Sequence, residues 1–152
     1  GVRSYIHEGA TVIVPPTTAP LVERIATATF DSRPDAQSRD PKPARVESVK
    51  ETLLLEDRDN AMAVYNVASG HTDEYLVFHF PRQKVLLPGD LLFFRGADQP
   101  LKGRSRQLCE TIEKLGIEVE SMYVSWPLNG YGGVRDTVRF DEFRAACALP
   151  SP

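Results

Sequence analysis

The stretch GHTDEYLVFHFPRQKVLLPGDLLFF, residues 70–94, decides the fold that this sequence predicts. An apolar run at residues 75–80 is followed by a tight connection at residues 81–83 and by a second apolar run at residues 85–87. Gly89 and Asp90 then end the second run. Two such runs separated by turn residues are typical of a β-hairpin.

His71 and Asp90 stand at the outer ends of this predicted hairpin. In an antiparallel pair the start of one strand lies beside the end of its partner, so we expect both side chains at one edge of a sheet. A neutral imidazole and a carboxylate are ligands for zinc and similar cations. A zinc site normally has three or more protein ligands. The alternative interpretation is that His71 and Asp90 are ordinary turn residues.

The same residues, as GHTDEYLVFHFPRQKVLLPGDLLF, resemble the central hairpin of the metallo-β-lactamase superfamily. In that family a Gly-His-Thr or Gly-His-Ser turn opens one strand, and the next strand ends in Gly-Asp. The His binds one metal ion and the Asp bridges two. The resemblance implies that His71 and Asp90 are ligands in a zinc site. That site could be dinuclear, or it could hold iron or manganese instead of zinc.

Segments on both sides of the hairpin extend the resemblance over nearly the whole chain. GVRSYIHEGATVIVPP resembles the helix and strand that follow the family's main metal motif, and LCETIEKLGIEVESMYVSWP resembles its last helix and strand. The implied fold class is α/β, a metallo-β-lactamase-like αββα sandwich that is partial, with one mixed sheet and flanking helices. We expect residues 1–152 to form a single domain of this kind, incomplete at its N-terminus.

The sequence departs from the family pattern in two places. The family's His-x-His-x-Asp-His motif is absent, and the remaining histidines are His7 and His79. The resemblance implies that Gly1 follows the place where that motif would end. The late strand should deliver a final His followed by Gly, where this chain has Asn129 and Gly130. The implied set of metal ligands is therefore incomplete.

Two further segments carry residues of interest. Residues 29–43, TFDSRPDAQSRDPKP, are polar and rich in proline, which predicts a surface connection or a lid. The loop WPLNGYGG, residues 126–133, follows a strand, and α/β folds place ligands at such positions. A plain turn is the alternative there. Candidate substrate-binding residues lie in this loop and near the start of the hairpin, and they are Asp73, Trp126, Asn129 and Tyr131.

Local patterns also predict individual elements. A helix should end near Gly9 and another should begin near Pro20, while Ser105 should cap a helix that Gly116 ends. The apolar residues that should share one sheet face are Val64, Val67, Leu76, Phe78, Val85 and Leu87. His79 should point away from Phe78 and serve packing or surface roles rather than chemistry.

Composition restricts the class of function. The net charge of −3 gives no electrostatic case for binding nucleic acid or an anionic membrane. No apolar run approaches the roughly 20 residues of a membrane span. Cys109 and Cys147 are interpreted as small buried apolar residues, since nothing in the sequence requires an oxidising compartment. A cytoplasmic location is expected.

The sequence leaves two functions open and slightly favours the first. In the first, the chain is part of a metal-dependent hydrolase that attacks an ester, lactone or amide of a small-molecule substrate. In the second, it is a metal-free relative that serves as a binding or assembly module. In both cases the open sheet face should be covered by a second copy, another chain or a missing N-terminal half. No catalytic residue is predicted.

Overall fold

The computed structural model describes residues 1–125 and 132–150 of the chain. Its backbone forms two compact units that divide after Lys50. Each unit has its own cluster of buried apolar side chains.

The first unit contains three α-helices, a short 3-10 helix at Pro16–Thr18 and two strands. Its elements are α1 (Val2–His7), β1 (Thr11–Val14), α2 (Ala19–Thr27), α3 (Ala36–Arg39) and β2 (Arg45–Ser48). Strands β1 and β2 pair in parallel. The predicted end of the first helix is confirmed, because Gly9 follows α1 with a positive φ of 80°. The buried core consists of Ile6, Val14, Val22 and Ala26.

Arg3 of α1 ties this unit together. Its guanidinium donates to both carboxylate oxygens of Asp35, at 2.6 and 2.8 Å, and also to the carbonyl oxygens of Ile25 and Ala26. Asp35 in turn caps α3 by accepting from the backbone N–H of Ser38. The middle of the segment at residues 29–43 is thus anchored to α1. Its role as a surface connection or lid stays a prediction.

The second unit is built on a mixed sheet. Its strands are β3 (Thr52–Glu56), β4 (Ala61–Ser69), β5 (Thr72–Phe80), β6 (Val85–Gly89), β7 (Ser121–Val124) and β8 (Thr137–Arg139). Its helices are α4 (Gly103–Leu115) and α5 (Phe140–Ala148). The six strands follow one another in sequence order across the sheet, parallel only between β6 and β7. The predicted hairpin is confirmed as β5 and β6, with Phe78 paired to Leu87.

One face of this sheet packs against α4 and α5. The buried side chains of this core include Val77, Leu86, Met122 and Val138 from the strands and Leu108, Ile112, Phe143 and Ala146 from the helices. The prediction that Val64 and Val67 share a face is wrong. Val64 pairs with Phe78 and Val67 with Tyr75, and side chains alternate along a strand, so Val67 joins the helix-covered core.

His79 lies on the same face as Val77 and is only 4% exposed. Its Nε2 is 2.9 Å from the carbonyl oxygen of Glu118, which satisfies a polar atom inside the core. The predicted packing role of His79 is therefore confirmed.

Ser105 does not cap α4, contrary to the prediction. The helix begins at Gly103, with Lys102 at the N-cap position, and Ser105 is buried within its first turn. The Ser105 hydroxyl donates to the carbonyl oxygen of Leu91 and accepts from the N–H of Phe93. These partners precede Ser105 by 14 and 12 residues, so local spacing does not reveal them.

The two cysteines form a disulfide between α4 and α5. Cys109 and Cys147 are joined across a separation of 38 residues. Their interpretation as separate small apolar residues is wrong, because their positions on two helix faces do not show that the faces meet. Within the described part of the chain, no helix is long and apolar enough to cross a lipid bilayer.

Candidate functional site

Asp90 lies at the end of β6, beside β5 of the predicted hairpin. Its backbone N–H donates to the Tyr75 hydroxyl at 3.0 Å. One carboxylate oxygen, Oδ2, accepts from Nη1 of Arg104 at 3.3 Å. Arg104 lies in the first turn of α4, so the helix brings its guanidinium to the end of strand β6.

Gly89 is required by this arrangement. Its φ of 59° lies in the left-handed region, and a Cβ placed on it would come within 2.1 Å of the Tyr75 hydroxyl. Any larger residue would therefore displace Tyr75 or strain the backbone. The glycine that ends β6 is explained by the approach of Tyr75 without invoking a metal ion.

The interior of the site contains one unsatisfied acceptor. Oδ1 of Asp90 is buried and has no hydrogen-bond partner. Burial, with the nearby Asp90 charge as a further cause, raises the pKa of the Tyr75 phenol, so Tyr75 stays protonated at neutral pH.

His71 occupies a different place from Asp90. It lies in the exposed turn between β4 and β5, where its backbone N–H donates to the Ser69 hydroxyl at 3.2 Å. Tyr75 of β5 contacts Asp90, and His71 precedes Tyr75 by four residues, in the turn before β5. At about 3.3 Å per residue, four residues span roughly 13 Å. None of the contacts described for Asp90 involves His71. Their pairing as metal ligands stays a prediction.

The described residues do not fit a zinc or dinuclear metal site. Across residues 1–125 and 132–150, no three His, Cys, Asp or Glu side chains are grouped closely enough to hold a metal ion. The positive charge already beside Asp90 is the Arg104 guanidinium, which repels a second cation. No reaction step can be built on a metal held by this set alone.

Of the other predicted site residues, only Asp73 falls within the part of the chain that the structure describes. Asp73 is an exposed residue of β5. Trp126, Asn129, Gly130 and Tyr131 lie outside the described residues. The sequence missed Tyr75 and Arg104. The signal that could have indicated Tyr75 is its position on the strand that pairs with the one ending before Asp90, whereas no sequence signal points to Arg104.

A groove of about 800 Å³ lies elsewhere in the second unit, where β8 and α5 meet the loop before β7. Five of its charged side chains are held in ion pairs within the protein, and Arg144 also lines it. Lys84 pairs with Glu118 and Glu120, and Arg139 pairs with Asp141. These pairs leave the groove without a clear preference for an anionic or cationic ligand.

No family model and no curated relative matches this sequence. Solved structures do match. A metallo-β-lactamase from Pontibacter korlensis is 14% identical with a TM-score of 0.56, over 98% of this chain and 61% of that chain. A metallo-β-lactamase from Staphylococcus aureus is 16% identical with a TM-score of 0.58, over 99% of this chain and 45% of that chain.

This chain has part of a metallo-β-lactamase fold. The flavodiiron protein from Giardia intestinalis shares it, at 11% identity with a TM-score of 0.57, over 97% of this chain and 37% of that chain. The chain therefore spans less than two thirds of each of these three structures. The resemblance in the hairpin and the predicted partial fold are both confirmed, whereas likeness at such low identity shows the fold alone.

Proposed function

We propose that this chain is a metal-free module with a partial metallo-β-lactamase fold, which serves binding or assembly rather than hydrolysis. The observation that carries the proposal is the contact between Arg104 and Asp90. The resemblance assigns Asp90 to bridging two metal ions, and in this chain a guanidinium supplies the positive charge instead.

Electrostatics supports this reading of Arg104. A guanidinium remains charged at every physiological pH, so Arg104 cannot lose its positive charge by deprotonation when a metal ion approaches. Two like unit charges about 4 Å apart near a protein surface repel by roughly 4 kcal/mol, and a divalent ion doubles that repulsion. A metal ion on Asp90 would therefore need to displace Arg104 and find further ligands.

A second candidate is a metal-dependent hydrolase of esters, lactones or amides. The buried Oδ1 of Asp90 favours it, because that acceptor is without a partner and a cation would satisfy it. In this candidate His71 and Asp90 are ligands of zinc, iron or manganese, and residues beyond those described complete the site. The substrate would be a small molecule.

Elemental analysis of the chain, purified without chelators, separates the two candidates. If the chain is metal-free, we expect far less than one zinc, iron or manganese ion per chain, both in the wild type and in Asp90→Asn. The exposed Asp73→Asn variant is the matched control on the same hairpin. About one metal ion per chain in the wild type and in Asp73→Asn, lost in Asp90→Asn and His71→Ala, would instead establish the hydrolase candidate.

The expected cytoplasmic location stays a prediction, and the disulfide counts against it. Disulfides persist in oxidising compartments and are rare in the cytosol. We therefore propose that the chain works in an oxidising compartment. Alkylation of freshly lysed source cells should then leave Cys109 and Cys147 unmodified until a reductant is added.

A further inference from the structure

We infer that the second unit binds a phosphate monoester, a small molecule with a phosphate group on an apolar substituent. The site is a cavity of about 330 Å³ formed by the segment between β6 and α4 and by the first turn of α4, which we call the β6–α4 cavity. Its size lies at the lower end of the range for small-molecule sites. The inference goes beyond the proposed function, because it requires neither the presence nor the absence of a metal ion at Asp90.

The charged side chains that line the β6–α4 cavity are both cations, Arg95 and Lys102. Within the described part of the chain, neither forms an ion pair and no Asp or Glu lines the cavity. Asp98, the acid nearest to Arg95 in sequence, lies against Gly96, 2.7 Å from the place that a Cβ on Gly96 would occupy. Uncompensated positive charge in a concave site attracts anions, and it contrasts with the net charge of −3 of the whole chain.

An aromatic ring orients the guanidinium of Arg95. The central carbon of this guanidinium lies 5.1 Å from the centroid of the Phe93 ring, which is a cation–π contact. The backbone N–H of Phe93 donates to the buried Ser105 hydroxyl at 2.8 Å, so this segment is attached to α4. Stacking uses the face of the guanidinium and leaves the N–H donors at its edge free. Those donors match the paired oxygens of a phosphate group.

The backbone that carries the two cations is held by the core of the second unit. Arg95 directly follows Phe94, which is fully buried, and Lys102 directly follows Leu101, which is 5% exposed. Both of these apolar residues belong to the core cluster beneath the helices. Because this backbone is already ordered, a ligand loses little affinity to ordering of the site.

The charges and the apolar walls together define the class of ligand. Phe93, Pro100 and Leu101 supply apolar surface beside the two cations. A phosphate monoester carries a charge of about −1.5 to −2 at neutral pH, which two cations balance better than they balance the single charge of a carboxylate. A small aromatic or aliphatic substituent then covers the apolar wall. Phenyl phosphate has both parts and is therefore the probe.

Isothermal titration calorimetry with phenyl phosphate is the first test. We expect one site per chain, with an affinity that falls as salt is added. Phenol should not bind, and benzoate should bind about tenfold more weakly, because it carries less charge. Inorganic phosphate should also bind more weakly than phenyl phosphate, because it leaves the apolar wall uncovered. Absence of binding by phenyl phosphate, or equal affinity for benzoate or inorganic phosphate, would overturn the assignment of a monoester.

Substitution of the two cations tests the location of the site. Arg95→Gln and Lys102→Gln should each weaken binding by about tenfold to a hundredfold, since each removes hydrogen bonds to a charged group. Arg95→Lys keeps the charge without the paired donors and should fall between Arg95→Gln and the wild type. Lys114→Gln, at an exposed position of α4 outside the cavity, is the matched control and should bind as the wild type does. Equal weakening in Lys114→Gln would show only a general attraction of anions and would overturn the inference.

Two further measurements keep this inference distinct from misfolding and from the proposed function. Far-UV circular dichroism of the Arg95 and Lys102 variants should match the wild type, because both side chains are exposed. A chain passed over a chelating resin, and free of metal by elemental analysis, should bind phenyl phosphate as before. Binding that disappears with the metal would overturn the inference. A metal-free chain that does not bind phenyl phosphate would overturn the inference alone, whereas a metal-containing chain whose binding survives the resin would overturn only the metal-free function.

Discussion

At the scale of single residues, the contact between Gly89 and Tyr75 determines the shape of the candidate site. Gly89→Ala should lower the free energy of unfolding by about 2 to 4 kcal/mol, since it adds both a steric clash and a backbone penalty. The clash comes from the Tyr75 hydroxyl at 2.1 Å, and the penalty from a φ of 59°. Urea unfolding measures the change.

Gly116→Ala is the control that isolates the backbone penalty. Gly116 has a similar φ of 62°, but no atom lies within 4 Å of a Cβ built there. Its substitution should cost only about 1 kcal/mol. Tyr75→Phe in the Gly89→Ala background removes the clashing oxygen and should recover part of the loss. Equal costs at Gly89 and Gly116 would show that Tyr75 does not restrict this position.

Asp35 predicts how the first unit responds to acid. The hydrogen bonds from Arg3 hold the pKa of the Asp35 carboxyl well below its usual range. A carboxyl with a lowered folded pKa contributes stability above its unfolded pKa of about 4, and that contribution is lost as the pH falls through this region toward the folded pKa. Unfolding of the wild type should therefore become easier below about pH 5.

Asp35→Asn should flatten this dependence on pH, with most of the loss already present at pH 7. Asp31→Asn, at an exposed position of the same segment, is the control and should retain the wild-type slope. Urea midpoints at pH 7, 5 and 3 give the comparison. An unchanged slope in Asp35→Asn would mean that other carboxylates determine the acid sensitivity.

At the scale of elements, the disulfide and one arginine hold α5 in place. Besides Cys109–Cys147, the Arg106 guanidinium of α4 donates to the carbonyl oxygens of Cys147 and Leu149 at the end of α5. Reduction should lower the free energy of unfolding by about 2 to 4 kcal/mol, because the unfolded chain regains the freedom of a long loop. The expected structural effect is faster hydrogen exchange in α5 than in β5.

A variant with both cysteines replaced by alanine provides the control for reduction. It should match the reduced wild type in stability, and it should not respond to added reductant. Hydrogen exchange in β5 should remain slow in all forms, since this strand lies within the sheet. Equal stability of the oxidised and reduced wild type would show that Arg106 and packing suffice to hold α5.

The sequence predicted the elements whose signals are local. Gly9, Gly116 and the turn after Phe80 mark chain reversals by their own conformational preferences, so local sequence predicts the ends of α1 and α4 and the β5–β6 hairpin. Ser105 and the cysteine pair were misjudged because their partners lie far along the chain. Asp90 was found from its turn. Arg104, whose positive charge lies beside Asp90, has no local sequence signal, because only the fold brings α4 to the end of β6.

At the scale of the whole molecule, the presence of two buried cores predicts two regions of different stability. The first unit buries four apolar residues in its core cluster, Ile6, Val14, Val22 and Ala26. The core of the second unit is much larger and includes Val77, Leu86 and Phe143. Small cores support little stability, so the first unit should show faster hydrogen exchange than the second under mildly denaturing conditions.

Truncation of one residue in each core tests whether the two regions open separately. Ile6→Ala should cost about 2 to 5 kcal/mol and Phe143→Ala about 3 to 5 kcal/mol, since both side chains are almost fully buried. Hydrogen exchange followed by mass spectrometry should then show Ile6→Ala accelerating exchange in β1 and α2 while β5 stays protected. Phe143→Ala should accelerate exchange in α5 and the strands beneath it. If each variant instead raised exchange equally along the described chain, the two cores would unfold as one cooperative structure, because neither could open while the other remained closed.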